Sequence, residues 1–484
     1  MIWRLPSVAL LALGLVFGVV AGAPAAPHAA DQVRVPLAGI REHLSAFQKI
    51  AERNGRNRLA GTSGYDASAG YVARRMRAAD YRVRLQEFSF PFVFDRSPPV
   101  LRVVDAATQR FRAERDYTTL GYSGSGAVTA QVVAVDLLVP SPGPNESTSG
   151  CEASDFAAFP EGAIALLQRG KCFFREKLAN AVTAGASAVI VFNEGNPGRR
   201  AVFAATLGAP QASIPGLAAS FEVGDELRNG VSDGPTGVSV RLETDVVAER
   251  RRTRNVIAES RVGNPTRLVV VGAHLDSVQR GPGLNDNGSG SAVILEVAEQ
   301  LTGLRSRNRL RFVWWGAEEL GLLGSRHYVG RLSQAARRTH ALYLNFDMVG
   351  SPNFVRFVYD GDASSTQSSL ELHPASAAIE RVFARYFDSR GLAFRETSLG
   401  GSSDHAPFAR AGIPVGGLFT GAGGLKSEAE ASIFGGEAGR PYDACYHRAC
   451  DTAANVSGVA LTQMARAAAH AVRHFARDAS GVRR

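Results

Sequence analysis

Four nearly continuous apolar runs, at residues 267–272, 310–315, 342–346 and 415–419, constrain this chain more than any other feature. Each is short and suits a strand covered on both faces. Helical patterns separate them, residues 291–302 among them. Strands alternating with helices predict an α/β fold, a mixed, largely parallel central sheet flanked by helices. In such a sheet functional groups collect beyond the carboxyl ends of the strands. His274, Glu318, Glu319 and Asp347 each fall just after one of the runs.

These residues stand in turns with a recurring composition. Residues 272–277 read GAHLDS and residues 283–290 read GLNDNGSG. WGAEE at 315–319, NFDMVG at 345–350 and CYHRAC at 445–450 complete the set. Singly, each has an ordinary explanation. A lone His after a strand is usually a hydrogen-bonded structural residue, an Asp among glycines a turn residue, Asp347 a helix cap, a Glu pair a solvated helix start. Together they supply His274, His447, Asp286, Asp347, Glu318 and Glu319. Those imidazoles and carboxylates suffice for two zinc ions and a general base.

The five blocks resemble those of the MH-clan secreted zinc aminopeptidases, of the aminopeptidase S and Y type, over residues 59–451. The resemblance implies a zinc exopeptidase fold and two zinc ions per chain. His274 and Asp347 would hold one ion, Glu319 and His447 the other, and Asp286 would bridge them. Glu318 would be the general base, taking a proton from the shared water and passing it to the leaving amine. Asp276 would accept a hydrogen bond from the second imidazole nitrogen of His274. Tyr446 would donate to the developing oxyanion. The implied substrates are peptides or proteins with a free, bulky apolar N-terminal residue.

Residues 402–419 match the same family, and there His405 is expected to line or support the pocket without binding metal. Some relatives carry an arginine where this chain has Ser402. That departure leaves open how the substrate's amino group is recognised and which residue is preferred. The alternatives on the same fold are a carboxypeptidase, a glutaminyl cyclase and a non-catalytic receptor-like protein. The complete ligand set argues against the receptor, and Tyr446-His447 between two cysteines argues against the cyclase. Whether calcium assists is not legible in the sequence.

From residue 100 to 247 the character changes to short strands separated by Gly, Pro and Ser turns. Residues 162–193 read as strand, helix, strand and resemble a protease-associated (PA) domain, smaller and β-rich, inserted into the peptidase. It carries no catalytic constellation of its own. The expected division is a signal peptide at 1–25, a first peptidase part at 31–98, the insert at 100–247 and the catalytic part at 253–484. Helices are expected at 31–58, 67–79 and 459–475, and a strand at 81–90.

Arg4, an apolar stretch at 8–20 and small residues at 21–25 read as a secretory signal. The stretch is short for a membrane span, and no charged stop-transfer segment follows. The expected location is secreted, extracellular or periplasmic, with no membrane attachment after cleavage and with disulfides permitted. Cys151, Cys172, Cys445 and Cys450 allow three pairings. Locality favours Cys151–Cys172 and Cys445–Cys450, and the family resemblance implies the second. The net charge of +9 invites a nucleic-acid reading, but it is carried almost wholly by scattered arginines. No nucleic-acid motif accompanies them, so no such partner is expected. A monomer is expected.

Overall fold

The computed structural model describes residues 34–104, 111–209 and 213–482. The expected signal peptide lies outside them. Within them the strands join in one 13-stranded sheet. In the half built from residues 264–419 the order is Arg395–Thr397, Phe357–Tyr359, Val415–Phe419, His340–Phe346, Asn264–His274 and Asn308–Trp315. The last four contain the four apolar runs and are parallel to one another.

Helices cover both faces of this half. On one side lie Leu37–Arg53, Gly288–Gln300 and Gly458–Arg477. The last is capped by Ser457, whose side chain accepts from the amide of Ala460. Its Leu461, Met464, Ala468, Val472 and Phe475 recur at helical spacing and are buried. Each large apolar side chain so buried contributes roughly 1.5–3 kcal/mol. On the other side Trp315, Tyr328, Tyr343 and Phe408 pack together. The rings of Tyr343 and Phe408 stack 4.1 Å apart.

Three elements differ from expectation. The first helix is Leu37–Arg53, shorter than the expected 31–58, and leaves residues 54–58 outside it. The second helix begins earlier than the expected residue 67, spanning Ser63–Ala78, and takes in Ser63 and Gly64 of the Gly-rich stretch 61–64, which reads in the sequence as a turn ahead of the helix. Gly64 serves close approach there, since a Cβ would lie 2.2 Å from the Asn57 carbonyl oxygen. The strand expected at 81–90 runs on as Arg82–Val103 and pairs antiparallel with Gly234–Glu259. Pro98 and Pro99 do not end it. They fall where the register shifts between Ser97↔Asp245 and Val100↔Glu243. An irregularity of this kind tolerates residues that lack an N–H.

Gly234–Glu259 also pairs with Asn308–Trp315 and with Gly126–Ala134, antiparallel in both cases. Past Gly126–Ala134 come Ile164–Gln168, Ala188–Phe192 and Gly216–Ala219, all parallel. Tyr117–Thr119 closes the far edge antiparallel. This half has separate apolar clusters on its two faces. The predicted strand–helix–strand is present as Ile164–Gln168, Phe174–Thr183 and Ala188–Phe192. Both local disulfides form, Cys151–Cys172 and Cys445–Cys450.

Candidate active site

The carboxyl ends of the catalytic strands open on a cavity of about 400 Å³. His274 is the last residue of its strand, and Asp347 follows His340–Phe346 directly. Glu318 and Glu319 lie in the turn after Asn308–Trp315, and Asp286 just ahead of the helix Gly288–Gln300. Tyr446 and His447 are carried on the Cys445–Cys450 loop. All seven line the cavity. Four non-glycine backbones here are left-handed: Ala317 (φ 57°) before the Glu pair, Leu322 (φ 61°) after it, Met348 (φ 48°) after Asp347, and His447 itself (φ 57°). Outside glycine such conformations cost roughly 1–2 kcal/mol each and gather where a side chain must be aimed.

The side chains converge pairwise. Nε2 of His274 is 3.2 Å from Asp347 Oδ1 and 3.2 Å from Asp286 Oδ1. Nε2 of His447 is 3.1 Å from Asp286 Oδ2 and 3.1 Å from Glu319 Oε2. Each imidazole nitrogen thus faces two carboxylate oxygens, although it carries one proton at most. Ligands held 2.0–2.1 Å from a tetrahedral zinc stand about 3.3 Å from one another. The observed spacings match that edge, and Glu319 Oε1 is buried with no hydrogen-bond partner. The donor set therefore fits zinc. Among the described residues two other His/Asp/Glu groupings occur. In one, Arg75 already pairs with Glu299. In the other, Asp360 already accepts from the amides of Ser364, Ser365 and Thr366.

So many buried acids in one place hold their protons unequally. Burial, aided by Asp404, Glu319 and Asp347 against the opposing pull of His274, raises Glu318 well above the carboxylate range. Burial and Asp286 push Glu319 up to about 7. Burial pushes Asp404 up to about 7 as well. Burial works against a charge on His447, but its bonds to Asp286 and Glu319 prevail and lift it to about 10. Asp286 is held low by His274 and His447 in spite of its burial.

Other residues orient these groups. The structure places Asp276 differently from the sequence expectation: His274 Nδ1 lies 3.2 Å from the Asp276 backbone carbonyl and 3.8 Å from its carboxylate. The carboxylate instead accepts from the amides of Glu318 (3.1 Å) and Glu319 (3.3 Å). It fixes the Glu turn, while its own backbone fixes the imidazole. His405 is buried and bonds the Gly400 carbonyl through Nε2 at 2.6 Å. Its ring sits 5.0 Å from that of Tyr359, which lines the cavity. It supports the pocket, and Ser402 lines it.

Sequence reasoning missed a buried relay and a clamp. Trp315 Nε1 donates to the Tyr343 hydroxyl, which donates to Asn345 Oδ1. Asn345 Nδ2 donates to Ser403 Oγ, which donates to Asp347 Oδ2 at 2.7 Å. The clamp is Asp451, whose two oxygens accept from the amides of Asn285 and Asp286. A Ser beside an Asp and an Asp after a Cys are too common for sequence to single out.

The profile of peptidase family M28 matches residues 255–472, and that of the PA domain matches 128–227. An aminopeptidase of Pseudomonas aeruginosa is 47% identical over 423 residues, 87% of this chain and 77% of that protein. The chain belongs to peptidase family M28. A probable lipoprotein aminopeptidase of Mycobacterium tuberculosis is 38% identical, covering 93% of this M28 chain and 86% of its own. Among solved structures, a zinc aminopeptidase from Bacillus subtilis is 26% identical with a TM-score of 0.62, covering 92% of this chain and 96% of that one. An aminopeptidase from Aneurinibacillus sp. strain AM-1 shares the fold with a TM-score of 0.67 at 24% identity, covering 92% and 95%. This M28 peptidase is an enzyme, a zinc-dependent aminopeptidase.

Proposed function

We propose that this M28 peptidase is an exported enzyme that uses two zinc ions and a Glu base to remove bulky apolar residues from peptide N-termini. The observation that carries the reading is Asp286, whose two oxygens each face a different imidazole nitrogen, at 3.2 and 3.1 Å. His274 and Asp347 would hold one ion, His447 and Glu319 the other, with Asp286 between them. Bound there, the ions would supply a water of lowered pKa and an acceptor for the peptide carbonyl.

The remaining work falls to the protein. Glu318 is buried against this cluster, its Oε2 4.0 Å from His274 Nε2. It takes the proton of the attacking water and delivers it to the leaving amine. Tyr446 is stacked on His447 with ring centres 3.9 Å apart. Burial and the nearby acids raise its phenol further, so it keeps its proton and can donate to the oxyanion. Leu322, Met348, Tyr359 and Phe419 give the cavity its apolar wall and favour a bulky apolar side chain. Two disulfides suit an oxidising compartment. Among the described residues no helix is long and apolar enough to cross a membrane.

Hydrolysis of leucine p-nitroanilide, before and after chelation and zinc re-addition, tests the reading beside an N-acetylated control. Cleavage of the free amine alone, lost on chelation and restored by about two zinc ions per chain, is expected. Glu318→Gln should keep both ions and lose about 10²- to 10⁴-fold in turnover. Cleavage of the acetylated substrate, or full activity with one ion, would refute it.

A further inference from the structure

Between His274 and Asp286 the chain makes a loop whose two ends carry site residues. Its interior is filled by Arg58, a side chain from the turn between the first two helices. Arg58 is fully buried. Its guanidinium reaches three backbone carbonyls of that loop: Leu275 through Nη1, Pro282 through Nε at 2.9 Å and Gly283 through Nη2 at 2.5 Å. Its own amide donates to Ser277 Oγ at 2.9 Å. Leu275 follows His274, and Gly283 stands three residues before Asp286. One planar group therefore ties both ends of the loop together.

The fit is tight. Gly283 is left-handed (φ +63°), and a Cβ there would lie 2.3 Å from the Asp286 carbonyl oxygen and 3.2 Å from Arg58 Nη2. The Phe47 ring covers the guanidinium at 5.3 Å. All of these guanidinium bonds go to carbonyls and none to a carboxylate. Burying a charge with neutral partners is costly. Burial draws Arg58 down to about 10, while Asp276, Asp451, Asp286 and Glu319 hold it up, so it stays charged near neutral pH. Its charge is thus balanced by the acids of the site itself. The five donors of an arginine suit three diverging carbonyls; a lysine would reach fewer in this geometry.

We propose that Arg58 is a positioning residue for the metal centre: by closing the Leu275–Gly283 loop it sets the distance between His274 and the bridging carboxylate of Asp286. The inference rests on the two-zinc reading given above. Arg58 does not line the cavity, so its loss acts on metal binding and turnover and leaves KM alone.

The test compares Arg58→Met, Arg58→Lys and the wild type in full-length enzyme, by zinc competition against a chromophoric chelator and by steady-state kinetics. Arg58→Met should weaken zinc about 10- to 100-fold and lower kcat with KM unchanged. Arg58→Lys, which keeps the charge and fewer bonds, should fall between. If Arg58→Met does not fold, Arg58→Lys decides: weakened zinc supports the proposal, and wild-type zinc affinity overturns it. Variants that lose only thermal stability, with wild-type zinc affinity and kcat, also overturn it. A wild type that binds a single ion refutes the two-zinc reading instead, so the two failures are distinct.

Discussion

Ser403→Ala separates what the relay does for zinc from what it does for the fold. Ser403 is buried, donates to Asp347 Oδ2 at 2.7 Å and accepts from Asn345 Nδ2 at 2.9 Å. A hydrogen bond to an ionised carboxylate contributes about 1.5–3 kcal/mol. At about 1.4 kcal/mol per factor of ten, its loss weakens the ion on Asp347 about 10- to 100-fold. Asn345 Nδ2 is left without this acceptor whether or not zinc is bound. Its cost of about 1–3 kcal/mol therefore falls on folding. Competition with a chelator that resolves two affinities reads the first effect, and urea unfolding of the zinc-stripped protein reads the second. One zinc affinity should fall while the other, set by His447 and Glu319, stays put. Two affinities falling equally, or neither changing, would refute the reasoning.

Tyr446→Phe should lower kcat about 100-fold at unchanged zinc content, as expected for a lost oxyanion donor; an intact turnover number would remove that role. His340 is buried between the Tyr328 hydroxyl and the Ala336 carbonyl, and burial lowers it to about 4. Its folded pKa lies below the unfolded value, so its contribution is complete above pH ~6.5 and fades as pH falls toward ~4. From about pH 7.5 to about pH 5 the wild type should lose about 2 kcal/mol more than His340→Gln in urea unfolding; parallel losses would contradict this. Gln279 accepts from the Asp95 amide and donates to its carbonyl at 2.5 Å, while Arg280 pairs with Glu114. Gln279→Ala should speed amide exchange at Asp95 and across residues 277–285, whereas the exposed Arg280 pair is worth under about 1 kcal/mol; unchanged exchange in Gln279→Ala would show that its bonds to Asp95 do not steady this loop.

The fold was legible because its strong signals are local and periodic. Four apolar runs became four parallel strands, and the residues just beyond them reached one cavity. The strand expected at 81–90 runs on to Val103, since a period-two pattern cannot reveal that a strand continues through irregular steps. Gly64 misled for a related reason: glycine in a turn and glycine under a neighbouring carbonyl read alike. At the site, residues whose chemistry is scarce, His274, His447 and the Glu pair, stood out in the sequence only as a set. Arg58, Ser403 and Asp451 were not. Their partners lie tens to hundreds of residues away, at Gly283, Asp347 and Asp286. The Asp276 carboxylate was expected on His274 and lies instead on the Glu318 and Glu319 amides, because spacing shows that a residue is near and not which of its oxygens turns inward.

The long paired strands also determine how the insert could be gained or lost. Ser97 and Asp245 face each other across the ladder, so the chain leaves the peptidase and re-enters it at neighbouring points. Topologically the insert is the elaborated tip of a hairpin. A short turn joining these two positions would close the circuit with every catalytic strand still in sequence. That cut keeps Asp95, the backbone partner of Gln279, and removes Glu114, the partner of Arg280. An ancestor without the insert would have had only the first of these two grips on the loop leading to Asp286.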